Sequence, residues 1–301
     1  MAGTYVPPTR LALAEQTRRN RWAERQVAAA AAAALAVLGL VAGLLARLPG
    51  LGLGLGLALA VILVGFAPGL GERIALSRSG AVPADPDRHP RYHNLVQGLW
   101  EAAGLPVPRL YVADVEAVNA FAVGRDPARS AVVATRGLLT SLNLVELEAV
   151  LAHELAHVQS GAARLGTLAV VLGGAPGLLR ESRRRGGSPL LGAAAVVLAP
   201  LALLMRLAAP ARRELDADEA GAYLTRYPPG LISALAKLGP DPGRPGPEPG
   251  PPGPEPGLPG PEPGLNHLWT VAPEPAGHGW LERSYRTHPP VEQRIAALRE
   301  L

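Results

Sequence analysis

The sequence predicts a mainly helical protein with a small β-sheet, held in a bilayer by a hairpin of two transmembrane helices. Three observations lead there. Residues 27–46, VAAAAAAALAVLGLVAGLLA, carry no charge, and about 20 such residues cross a hydrocarbon core as a helix. A second run, LGLGLGLALAVILVGFAPGL, occupies residues 51–70. Downstream, stretches with helical apolar spacing alternate with short β-rich runs.

Residues 1–26 read as a cytoplasmic N-terminal segment and residues 27–70 as the hairpin, with a tight turn at Pro49-Gly50. A cleaved signal peptide fits poorly, because the first run starts late, exceeds an h-region in length and is followed at once by a second span. Gly52, Gly54 and Gly56 are not followed by polar residues that could meet a phosphate, so they read as close helix packing in lipid. Arg18, Arg19, Arg21 and Arg25 precede the hairpin, and Arg73 and Arg78 follow it. Positive charge on both flanks puts both ends in the cytoplasm. The expectation is a multi-pass protein of the cell membrane with its water-soluble part cytoplasmic.

Residues 71–238 read as the main domain. A helix is expected over 88–103 with Trp100 on its apolar side. RLYVAD (109–114), NAFAVG (119–124) and SAVVAT (130–135) read as strands. Asn143 with Glu146 forms a capping-box pattern ahead of a helix whose Leu144, Leu147, Leu151, Leu155 and Val158 share one face. Apolar segments at 165–179 and 190–205 are only 15 and 16 residues long. Each would reach roughly 23 Å, against a hydrocarbon core of about 30 Å. They either cross with snorkelling ends or form a shallow, protein-buried hairpin. Helices follow at 211–224 and 231–238. Residues 239–264 repeat GPEPG at 246, 253 and 260, which gives an extended spacer or a proline-motif docking segment. The remainder, 265–301, returns to order and closes the domain with the helix in THPPVEQRIAALREL.

Composition narrows the chemistry. The 301-residue chain has no cysteine, which excludes disulfides, thiolate catalysis and Cys-ligated metals. A metal here needs His, Asp or Glu. The net charge of +4 is almost wholly arginine clustered beside apolar runs. With only 4% aromatic residues there is no base-stacking platform, so nucleic acid is not an expected partner.

The chemistry centres on LAHELAHVQS, residues 151–160. On a helix His153 and His157 lie one turn apart on one face and can share one ion. Glu154, about 100° round, can reach a water activated at that ion without ligating it. A catalytic zinc usually has three protein ligands, and RRELDADEAGA supplies the third: Glu214, with Asp218 one turn on to accept a ring N–H from a ligating histidine. Asp216 points elsewhere. The bland readings are a surface helix with two solvated histidines and a solvated acidic face. Each weakens once the two motifs are taken together.

These residues carry a resemblance. NAFAVG at 119, AVVATRGLL at 131, LEAVLAHELAHV at 147, RRELDADEAGA at 212 and THPPVEQRIAAL at 287, in that order and spacing, resemble the HtpX-type membrane zinc metalloproteases. Those belong to the gluzincin group, together with the CAAX prenyl endoproteases. The resemblance implies a zincin-like metalloprotease domain with one Zn²⁺ per chain on His153, His157 and Glu214, and Glu154 as general base. It implies that Asn119, Ala120 and Phe121 lie along the cleft and bind substrate backbone by strand addition, and that His288 lies near the developing oxyanion. On turn chemistry alone, THPP reads equally as the start of the last helix. Val123 stands where the family more often has threonine, and the GPEPG insert is unusual. The implied activity is endoproteolysis of protein or peptide substrates, among them misfolded membrane proteins, in quality control and stress response. The alternatives are a CAAX-type processing protease and a non-catalytic membrane scaffold keeping a structural zinc. A metal transporter is disfavoured, because the ligands lie outside the apolar spans.

Overall fold

The computed structural model describes residues 10–171, 186, 212–238, 268–271 and 288–301. Helices α1 (Arg10–Leu45) and α2 (Pro49–Arg78) form the hairpin, and both are long and apolar enough to cross a membrane. Their contact is made by glycine. A Cβ on Gly52 would stand 2.3 Å from the Gly39 carbonyl oxygen, and one on Gly56 2.4 Å from that of Leu35. Small residues let the backbones touch where lipid offers no hydrophobic drive between helices. Gly54 faces open space and takes no part. The turn lies at Ala46–Leu48 rather than at Pro49-Gly50. Arg47 adopts φ 60, and Pro49 opens α2, where its missing N–H costs nothing. Leu44, Leu51, Leu55, Val61 and Phe66 point outward, an apolar surface suited to lipid.

At 1.5 Å per residue α1 is about 54 Å long, well beyond one hydrocarbon core. Its N-terminal part lies against the domain that follows the hairpin. Asn20 donates to the Ser160 carbonyl at 2.9 Å, Arg19 meets Asp216 at 2.8 Å and Glu24 meets Arg164 at 2.6 Å.

The sheet contains β1 (Ala81–Pro83), β2 (Arg109–Ala113), β3 (Ala120–Gly124) and β4 (Ser130–Thr135) in the order β1-β2-β4-β3. The β2–β4 pair is parallel and the others antiparallel. Both β3 and β4 are buried throughout, because both faces of the sheet are covered. On one face Ala120, Ala122, Val132 and Ala134 join Tyr92, Val96 and Trp100 of α3 (Pro90–Ala102). On the other, Phe121, Val123, Ala131 and Val133 pack with Ala75 of α2 and with Val170 and Leu268. Strands buried on both faces read as continuous apolar runs rather than as alternation.

After α4 (Arg136–Ser141) comes the central helix α5 (Leu144–Ser160), opened by the reciprocal Asn143–Glu146 capping box and ended at left-handed Gly161. An apolar helix α6 (Ala162–Val171) packs Leu165 and Leu168 against Val27, Ala31 and Ala67 of the hairpin. The rest of the 165–205 apolar pair and the GPEPG insert lie outside the described residues. Helices α7 (Arg212–Thr225), α8 (Pro228–Leu238) and α9 (Val291–Arg299) complete the domain. Ala149, Ala222, Leu231, Leu235 and Leu298 lock them onto α5.

Candidate active site

Two helices build the site. α5 presents His153 and His157 from successive turns, and their Nε2 atoms lie 3.1 Å apart. α7 crosses α5 closely because Gly221 has no side chain: a Cβ there would stand 2.9 Å from the backbone nitrogen of His153. That approach brings in Glu214, whose carboxylate oxygens lie 3.5 Å from each imidazole Nε2. One ligand atom from each of the three residues falls within 4.8 Å of the others. Asp218, on the same face of α7, has Oδ1 2.9 Å from His153 Nδ1. The contact is close, but the ring N–H does not point straight at that oxygen. Asp216 turns away to Arg19.

The cluster is buried: His153 is 0% exposed, Glu154 1%, Asp218 2% and Glu214 8%. Burial alone drives the His153 imidazole toward neutral, yet Asp218 and Glu214 outweigh it and lift its pKa to about 9. For Glu214 burial works upward, and the imidazoles of His288 and His157 more than offset it, holding the carboxyl well below the ordinary range. A metal cation fits these residues. Two imidazole nitrogens and a carboxylate converge on one point, and the buried Glu214 Oε2 has no hydrogen-bond partner. The donor set is the nitrogen-and-oxygen type that borderline divalent ions take.

Glu154 points to the sheet side of the cluster. Its Oε1 accepts a hydrogen bond from the Thr270 hydroxyl at 2.6 Å, while its buried Oε2 has no hydrogen-bond partner. Thr270 belongs to residues 268–271, which run along the outer edge of β3. The Thr270 N–H donates to the Ala120 carbonyl, and Asn119 pairs with Val271 through both amide atoms, at 2.7 and 3.2 Å. The edge expected to receive substrate backbone is therefore held at Asn119 and Ala120 by the protein's own chain. Phe121 buries its ring against Trp269, with centroids 4.7 Å apart. His288 reaches the cluster, its Nε2 3.5 Å from Glu214 Oε1, while Pro290 takes the N-cap position of α9.

Two further residues of the site, Thr270 and Arg294, belong to neither ligand motif in the sequence. Thr270 sits beside the proline-rich insert with no pattern to mark it. Arg294 did leave a signal: at helical spacing it shares the stripe of Val291, Ile295 and Leu298, an arginine on an apolar face. It is fully buried and grips Asp218 with two donors.

A buried carboxylate beside two imidazoles and a second carboxylate that can hold a cation is equipped to hydrolyse a peptide bond. Comparison with known proteins agrees. Residues 86–301 match Peptidase family M48. A "Protease HtpX homolog" of Tropheryma whipplei is 38% identical over 243 residues, covering 76% of this chain and 78% of the relative. Namesakes in Dictyoglomus turgidum (37%; 75% and 74%) and Campylobacter concisus (32%; 76% and 81%) are similar. No solved structure matches the chain. The match takes in both ligand helices, the β3 edge and α9, and on that extent the chain belongs to peptidase family M48, as a membrane metalloprotease.

Proposed function

We propose that this protein is a zinc endopeptidase that cleaves proteins at the cytoplasmic face of the cell membrane, with one zinc per chain held by His153, His157 and Glu214. The observation that carries it is the convergence of those three side chains from α5 and α7 beside a buried Glu154. When bound, zinc supplies a Lewis acid that activates water and polarises the scissile carbonyl. The chain's own groups do the rest. Glu154 accepts the proton of the attacking water and delivers it to the leaving amine. Thr270 fixes one oxygen of that carboxylate, which leaves the other for proton transfer. Asp218 orients His153 from behind. His288, beside Glu214, is placed to donate to the oxyanion as charge develops. Backbone binding by Asn119, Ala120 and Phe121 calls for an extended peptide in the place that residues 268–271 hold here.

The apolar hairpin supports substrates at the membrane, and the reading extends to misfolded or damaged membrane proteins and a role in quality control. Proteolysis of an unfolded substrate by the detergent-purified, zinc-loaded chain is the test. Glu154→Gln should lower kcat about 10²–10⁴-fold, the usual share of a general base, while zinc stays bound. Undiminished proteolysis by that variant would remove Glu154 from the mechanism.

A further inference from the structure

Arg294 poses a question that the ligand set does not answer. It stands on α9, seven residues from the end of the chain, and is 0% exposed. A guanidinium is buried at great cost unless its donors are met. Here they are met at the site. Nε donates to Asp218 Oδ2 at 2.7 Å and Nη2 to Asp218 Oδ1 at 2.6 Å, while Nη1 donates to the Thr270 carbonyl. Nη1 also lies 3.7 Å from Glu214 Oε2. The pair with Asp218 is the two-pronged arrangement that fixes the plane of a carboxylate and not only its charge.

That plane matters because Asp218 Oδ1 faces His153 Nδ1 at 2.9 Å. A carboxylate held by one contact swings about its Cβ–Cγ bond. Gripped at both oxygens, it keeps Oδ1 in one fixed place beside His153 Nδ1. We propose that Arg294 is a positioning residue for the metal: through Asp218 it sets the tautomer and ring direction of His153, so that Nε2 is presented to the ion beside His157 and Glu214. The inference rests on the zinc-site reading above. It makes the C-terminal helix part of the metal centre, linked through one guanidinium to a ligand on α5 and to the segment 268–271 that carries Thr270. The competing account is that Arg294 merely pins α9 to α7.

The test is zinc affinity of the purified full chain, measured by competition with a chromogenic chelator, with the melting temperature of the metal-free protein read in parallel. The variants are Arg294→Lys, Asp218→Asn and the two combined. Lysine keeps the charge but cannot make the fork, and asparagine keeps the shape of aspartate. Each single change should weaken zinc binding about 10–100-fold, the range for groups that orient a ligand from behind. The double variant should lose no more than the weaker-binding single, since both act through one link. Zinc affinity within about twofold of wild type in Arg294→Lys, or losses that simply add, would overturn the proposal. So would a lowered melting temperature alone, since that is all a pin between helices predicts. Should Arg294→Lys fail to fold, Arg294→Ala supplied with guanidinium ion replaces it: restored zinc binding supports the proposal and none overturns it. A wild-type chain that binds no zinc when loaded sinks the metal reading itself. Zinc-binding wild type beside an unaffected Arg294→Lys sinks only the role of Arg294.

Discussion

At the scale of the residue, His153 decides how the site depends on pH. Its pKa in the metal-free protein is about 9, above the 6.5 of an ordinary imidazole, so the folded chain favours the protonated ring. That preference stabilises the metal-free fold fully below pH 6.5 and is lost as pH rises through 9. An ion requires the unprotonated nitrogen, so binding must expel the proton wherever the pH is below 9. We therefore expect zinc affinity to climb with pH and flatten near 9, with about one proton released per zinc at pH 7. Titration calorimetry in buffers of different ionisation enthalpy measures that release, and no proton release would contradict it. Much of this residue-level site is legible in sequence, because His153 and His157, and Glu214 and Asp218, each share a helix face by spacing alone. Arg294 was legible only as an anomaly on an apolar stripe. Thr270 was not legible, since nothing local ties a threonine beyond a proline-rich insert to a glutamate 116 residues earlier in the chain.

At the scale of the element, the site exists because α7 can touch α5. Gly221 is the point of contact, and a side chain there meets backbone rather than a movable group. Gly221→Val should push α7 outward and carry Glu214 and Asp218 off His153. Overpacking of this kind typically costs 1–3 kcal/mol, which lowers the melting temperature of a domain this size by about 2–12 °C. Thermal unfolding and chelator competition should fall together, and a variant with wild-type zinc retention would show that the close approach is unnecessary. The helices were readable from caps and periodicity, the Asn143–Glu146 box most directly. The inner strands were readable as unbroken apolar runs. β1 was not, because three half-exposed residues carry no period. The hairpin turn fell earlier than expected, because proline starts a helix as readily as it interrupts one.

At the scale of the whole molecule, α1 joins bilayer and catalytic centre without a break, docking beside the ends of α5 and α7 that flank the ligands. Residues 1–26 read in sequence as a segment apart, because arginine-rich polarity hides a helix whose partner is the catalytic domain. The proposed orientation puts the α1–α2 turn outside the cell and α9 inside. With no native cysteine, single cysteines report it cleanly. Ala46→Cys, in the exposed turn, should react with an impermeant maleimide on intact cells. Glu300→Cys should react only after the membrane is opened. The reverse pattern would turn the molecule over.

The account stands on two distant motifs meeting at one ion, and metal content of the detergent-purified protein tests that most directly. About one zinc per chain in wild type, lost in Glu214→Ala, is the predicted result, since the third ligand completes a catalytic site. Wild type that takes up no zinc when loaded, or a Glu214→Ala variant that retains it fully, would contradict the account.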